Sequence, residues 1–188
     1  MTSSFTTLPT LSLAAAAVAL LAGCGAMSTA ATGFQQTGLP AAIQVPAGHK
    51  VAMETVVDAG RITYECRAKA DMPGQAAWVF VGPDADLRDR SGRTVGRYFG
   101  PPATWQAADG SAVTGKQLAV APAGAGNIPF QLVQANPATG TGAMQGVAYI
   151  QRVALRGGVA PAMPCASANV GARETVGYQT EYIFWTAA

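Results

Sequence analysis

Past its N-terminal segment, no stretch of this chain keeps a helical hydrophobic period for as long as twelve residues. Short runs of alternating or wholly apolar residues recur instead, and turn residues separate them. Val51–Asp58, Arg61–Ala68, Ala76–Val81, Arg93–Phe99, Ala112–Val120, Ile128–Ala135, Gln145–Leu155 and Val176–Thr186 each read as a strand. The 22 Gly and 12 Pro supply the breaks. Such a chain cannot cover a sheet with helices. It must pack strands against strands, so the expectation is one all-β antiparallel domain over residues 39–188, a sandwich or a barrel-like form with long Gly/Pro-rich loops. Ala59-Gly60 reads as a two-residue hairpin turn between the first two runs. In the second run Ile62, Tyr64 and Cys66 share one face, and Arg61, Thr63, Glu65 and Arg67 share the other. Pro161–Ala172 reads as an ordered loop pinned by Cys165.

The N-terminus is of a different kind. Residues 11–22, LSLAAAAVALLA, have the length of a signal-peptide apolar core and are too short to span a bilayer, which takes about 20 residues. They lead into Leu21-Ala22-Gly23-Cys24, which resembles the lipobox of bacterial lipoproteins. Residues 1–23 are then a lipoprotein signal peptide, Cys24 the lipidated N-terminus, and 24–38 an uncharged flexible tether. The segment before the apolar core has no Lys or Arg, unlike most secretory signals. The alternative is plain secretion after cleavage within residues 26–31. Gly25 in place of Asp after Cys24 fits sorting to the outer membrane, with the domain on its periplasmic face.

No Asp, Glu, Lys or Arg precedes Lys50, so the domain carries the whole formal charge of +2. That is too small for a nucleic-acid partner, and no basic run with interleaved aromatics occurs. Cys66 and Cys165 remain as an even pair once Cys24 is lipidated. An oxidising envelope favours their disulfide. His49 is the single His, which leaves a Cys/His metal site without ligands, and no cofactor or metal is expected.

Several constellations carry possible chemistry. Gly140-Thr141-Gly142 through Gly146 misses dinucleotide-fingerprint spacing and precedes a strand, so it reads as a turn. Asp84–Asp89 offers three carboxylates in an expected turn, but Arg88 occupies a calcium-ligand position. Arg88, Arg90, Arg93 and Arg97 form a cluster suited to carboxylate or phosphate. Tyr98 and Trp105 flank a Gly/Pro-rich loop, with Asp109 and Ser111 beyond. Arg97, Tyr98, Trp105 and Asp109 are therefore the candidate ligand-binding residues, an aromatic platform beside charged groups suited to a glycan.

A set of landmarks resembles the domain-of-unknown-function family 3455. They are Leu39-Pro40 with Val45-Pro46-Ala47-Gly48, the Arg61–Cys66 strand, and Trp78-Val79-Phe80 followed by Gly82-Pro83-Asp84-Ala85. Gly92–Trp105, Asp109-Gly110-Ser111, Ile128-Pro129-Phe130, Tyr149-Ile150-Gln151-Arg152, Gly157-Gly158 with Cys165, and Tyr178–Phe184 complete them. The resemblance spans nearly the whole domain and implies a small secreted or envelope protein of unassigned activity. It transfers no catalytic residue. Arg97-Tyr98 stands where the family usually shows a His, and Phe130 where it shows a Trp.

The expectation is thus an envelope lipoprotein whose β-domain binds a ligand or partner, such as a glycan, without catalysis. The alternative is a polysaccharide hydrolase or lyase using Asp109 and Glu181 near Trp105.

Overall fold

The structure, a computed structural model, describes residues 1–2 and 33–188. Cys24, the signal peptide and most of the expected tether lie outside the described residues. One compact unit runs from Gly33 to Ala188. It contains eight strands: β1 (His49–Ala68), β2 (Ala76–Arg88), β3 (Thr94–Phe99), β4 (Thr104–Ala107), β5 (Ala112–Ala121), β6 (Phe130–Ala135), β7 (Val147–Gly157) and β8 (Arg173–Ala187). Each pairs antiparallel with the next, and β1 pairs with β8 from His49↔Ala187 to Glu65↔Arg173. The sheet is a closed up-and-down barrel, the second of the two expected architectures. Closure leaves a barrel no free edge wherever neighbouring strands match in length.

An eight-stranded barrel has an interior just wide enough for its own side chains or one small ligand. Here side chains fill it. Ile62, Tyr64 and Cys66 point inward from β1 and are buried, while Arg61, Glu65 and Arg67 point outward into ion pairs. Tyr98, Trp105, Tyr178, Tyr182 and Phe184 form the aromatic centre, each at most 5% exposed. Tyr98 stacks on Trp105 with centroids 4.6 Å apart, and Tyr182 packs against both at 5.0 and 5.6 Å.

Three sequence expectations need correction. Ala59-Gly60 is not a hairpin turn: β1 runs through it unbroken. Between Val57 and Gly60 the strand carries one extra residue against β8, a bulge that turns the barrel wall. Gly60 is required there because a Cβ would overlap the Tyr178 ring and the Val57 side chain. Gly60→Ala is expected to cost about 1–3 kcal/mol through overpacking, read as a lowered midpoint in urea. Asp84–Asp89 is not a turn up to Arg88, because β2 continues to that residue. Trp105 does not border a loop site. It lies on β4, a four-residue strand too short to show alternation.

Residues 33–38, expected as part of the tether, belong to the compact unit. Residues 33–46 form a strap over the outer faces of β5–β8, where Ile43, Val45, Ile183, Trp185, Val153 and Leu132 make a second apolar cluster. Gln151, fully buried on the outer face of β7, is the polar centre of this contact. Its Nε2 donates to Gln36 Oε1 at 2.9 Å and to the Ile43 carbonyl at 2.7 Å, and its Oε1 accepts from Trp185 Nε1 at 2.8 Å.

The strap is fastened at its start by Phe34 N–H donating to Glu54 Oε1 at 2.8 Å. Partial burial raises the Glu54 pKa, but the Phe34 N–H and Arg90 outweigh it and hold the carboxyl below its ordinary value of 4.5. A depressed folded pKa contributes stability above the unfolded value, and that stability is lost as pH falls through the folded value. Acidification below pH 4.5 is therefore expected to loosen the strap, read as faster amide exchange at Phe34. Glu54→Gln should abolish this pH dependence.

The end of the barrel where β1 stops is closed by the disulfide. Cys66 and Cys165 are joined, with Cα atoms 5.5 Å apart. The bond fixes the β7–β8 connection, as the reading of residues 161–172 anticipated. Asn169 reinforces that connection, with its Oδ1 accepting from Ala166 N–H and its Nδ2 donating to the Pro164 carbonyl.

Candidate functional site

The four candidate ligand residues do not line one cleft. Arg97 and Tyr98 are neighbours on β3 and so project to opposite faces. Tyr98 and Trp105 are interior packing residues. Asp109 sits in the β4–β5 turn and accepts from Ser111 N–H, Ser111 Oγ and Ala143 N–H at 2.6–2.9 Å. The Ser111 hydroxyl, then the Ala143 and Ser111 amides, hold its carboxyl below the ordinary range. A general acid for glycoside cleavage needs the opposite shift. Glu181 lies on the outer face of β8 and pairs with Arg90 at 3.0 Å. Three strands separate it from the Asp109 turn one way round the barrel and four the other.

Arg97 lines a recess on the outer wall, next to a groove. Two bulges face the same stretch of β8. One is the extra residue of β1 between Val57 and Gly60, and the other an extra residue of β7 between Val153 and Arg156. In the second, Ala154 takes a left-handed conformation with φ 52°, a strained state for a residue with a Cβ. The bulges push both strands off the regular ladder and open a groove of about 520 Å³ over Gly60, Gly157 and Tyr178. Arg61 and Arg156 stand on its two sides, with Gln179 and Asp58 beside them. A Cβ added at Gly177 would meet nothing, so the floor is open backbone.

The groove continues over β2 and β3 into a smaller recess of about 190 Å³, lined by Arg61, Arg88, Arg97, Asp58, Asp84 and Asp86. Asp84 accepts from Arg61 at 2.6 Å and from Arg97 at 2.8 Å. Arg61, and then Arg97, hold its carboxyl below the ordinary range against the opposing effect of burial. Arg88 pairs with Asp58 at 3.3 Å and Asp86 at 3.5 Å. The other members of the Arg cluster pair elsewhere, Arg90 with Glu54 and Arg93 with Asp89. Hydrogen bonds from the Ser91 hydroxyl and from the Arg93 backbone and side chain lower Asp89 to about 2. Arg156 has no ion pair among the described residues. The site is a run of guanidinium groups at the rim of a groove with a glycine floor, and its one unpaired cation is Arg156. Sequence reasoning missed Arg61, Arg156 and Gln179. Their signals were Arg156 directly before Gly157-Gly158, and Ala59-Gly60, the bulge taken for a turn.

The fold and site define a small closed β-barrel with a filled interior and a charged groove on its outer wall. The chain belongs to the family described as protein of unknown function (DUF3455), whose pattern matches residues 46–186. The strap up to Val45 therefore precedes the matched region. No curated protein and no solved structure matches the chain. Among the described residues, no group of three or more His, Cys, Asp and Glu is placed to hold a metal ion.

Proposed function

We propose that this protein is an envelope lipoprotein, held to the periplasmic face of the outer membrane by acyl chains on Cys24, whose barrel is a non-catalytic binding domain for an acidic glycan. One observation carries the binding reading: Arg61 and Arg156 flank a groove opened by two adjacent bulges, and Arg156 has no acidic partner among the described residues. A guanidinium fork suits a sugar carboxylate, and Gln179, whose Nε2 donates to the Asp58 carbonyl, keeps its Oε1 for a sugar hydroxyl. The non-catalytic part rests on the placement of the carboxylates. Asp109 is fixed by three hydrogen bonds in the β4–β5 turn, and Glu181, which borders Arg156 and Gln179 on the outer face of β8, is held by Arg90.

The test is a titration with an oligomer of a hexuronic acid, followed by amide chemical shifts. Saturable shifts at Gly60, Gly157, Gly177 and Gln179 are expected. Arg156→Ala should weaken binding by about tenfold or more, for the loss of one charge-assisted hydrogen bond worth about 1.5–3 kcal/mol. Its thermal midpoint should stay unchanged, since Arg156 is exposed and unpaired. Shifts elsewhere, or equal binding by Arg156→Ala, would remove the groove from the account. Release of shortened oligomers would restore the hydrolase reading.

A further inference from the structure

The barrel is closed, yet its strands are unequal. β2 pairs with β1 from Ala76 to Arg88, but with β3 only from Asp84 to Arg88. From Ala77 to Gly82 the second edge of β2 has no ladder partner among the described residues. This leaves a notch in the wall, bounded at both ends. At one end Gln75 makes a single antiparallel bridge with Ala166 of the disulfide-held loop, and Trp78 Nε1 donates to the Met163 carbonyl at 2.8 Å. At the other, the β3–β4 turn presses Gly100 against Gly82. Pro83, which has no N–H, ends the open edge.

One protecting device is present, an extra residue at Val81 that bulges β2 against Thr63 and Tyr64 of β1, but no charge guards the edge. No charged residue occurs between Asp71 and Asp84. Val79 is 36% exposed and Phe80 is 50% exposed. An uncharged, apolar strand edge is a template for another extended chain.

We propose that the Ala77–Gly82 edge is a β-augmentation site that takes an extended, uncharged segment of a partner polypeptide, with apolar side chains at alternate positions. Three observations select this occupant. A row of backbone N–H and C=O groups is matched by another extended backbone. The protein's own loop already makes that type of contact at Gln75↔Ala166, and so marks the direction of entry. The charge-free stretch matches an uncharged partner. A second copy fits less well. The disulfide-held loop and the β3–β4 turn flank the notch, so a lone strand enters where a second barrel would bring its own two flanks against them. This surface lies on β2 alone and does not depend on the glycan groove.

The probe is a synthetic peptide of alternating Val and Thr with Lys at each end, and its control carries Pro at two central positions. Amide exchange across Ala77–Gly82 is measured in the intact, oxidised protein. At a peptide concentration about ten times its dissociation constant, exchange of the alternate amides that face the open edge should slow by about tenfold. The Pro peptide should have no effect. Val79→Lys falls on an exposed position and should weaken the protection while leaving the thermal midpoint in place. No protection of these amides by millimolar peptide would overturn the proposal, as would protection confined to other strands. Protection that rises with protein concentration in the absence of peptide would replace the partner segment with a second copy.

Discussion

Replacing Cys66 and Cys165 by Ser is expected to destabilise the barrel by about 4–5 kcal/mol, the chain-entropy value for a closed loop of ~100 residues. The two cysteines lie 99 positions apart, so the bond constrains most of the unfolded barrel sequence. In a unit of this size each kcal/mol shifts the thermal midpoint by roughly 2–4 °C, which gives a fall of about 10–20 °C in calorimetry. The native contacts point the same way. Cys66 N–H donates to the Ala172 carbonyl, and the Cys66 carbonyl accepts from Gly171 N–H, so the β8 end of the β7–β8 connection closes on the same residue of β1 that the disulfide ties to Cys165. Reduction should therefore accelerate amide exchange first in residues 158–172 and only then in the ladder. An unchanged midpoint after reduction would mean that the β1–β8 ladder alone holds this end of the barrel.

Trp105→Ala is expected to cost about 3–5 kcal/mol, the range for deleting a large buried aromatic side chain. Trp105 is 2% exposed and contacts Tyr98 and Tyr182 within the barrel, so the vacated volume has nowhere to collapse from the short strand β4. The polar atoms of this cluster behave differently from its rings. Trp105 Nε1 and the Tyr178 and Tyr182 hydroxyls form no hydrogen bond of good geometry in the interior. Burial pushes the Tyr182 hydroxyl well above its ordinary pKa. Tyr182→Phe keeps the ring and removes an unsatisfied group, so it should be neutral or stabilising, whereas Tyr182→Ala should match Trp105→Ala. Urea midpoints of the three variants read this contrast. A large loss in Tyr182→Phe would show that the hydroxyl is satisfied in solution.

Strand faces were readable where one side meets the interior and the other meets water. Ile62, Tyr64 and Cys66 against Arg61, Thr63 and Glu65 is the clearest case. Closure was not readable, because it depends on β1 pairing with β8 across some hundred and thirty residues, and no local signal encodes that partner. Ala59-Gly60 has the composition of a turn. Its Gly is set by the Tyr178 ring arriving from β8, so the cause lies in tertiary packing. Trp105 has the composition of a ligand platform beside Gly-Pro-Pro, yet the stacked Tyr98 accounts for it. Arg97 stood out by its neighbours in the chain, whereas Asp84 and Arg61, which share its ion pair, come from other strands. Gln36 and Phe34 look like tether residues until Gln151 and Trp185 are placed beside them.

The claim that the compartment, the disulfide and the tether all depend on is the processing of Cys24. Intact mass of the protein extracted from membranes tests it most directly. The account predicts a chain of residues 24–188 carrying diacylglyceryl and N-acyl groups on Cys24, with Cys66 and Cys165 joined. It also predicts that Cys24→Ala releases the protein from the membrane fraction. A mature chain without lipid that begins beyond residue 25, or an uncleaved chain from Met1, would contradict it.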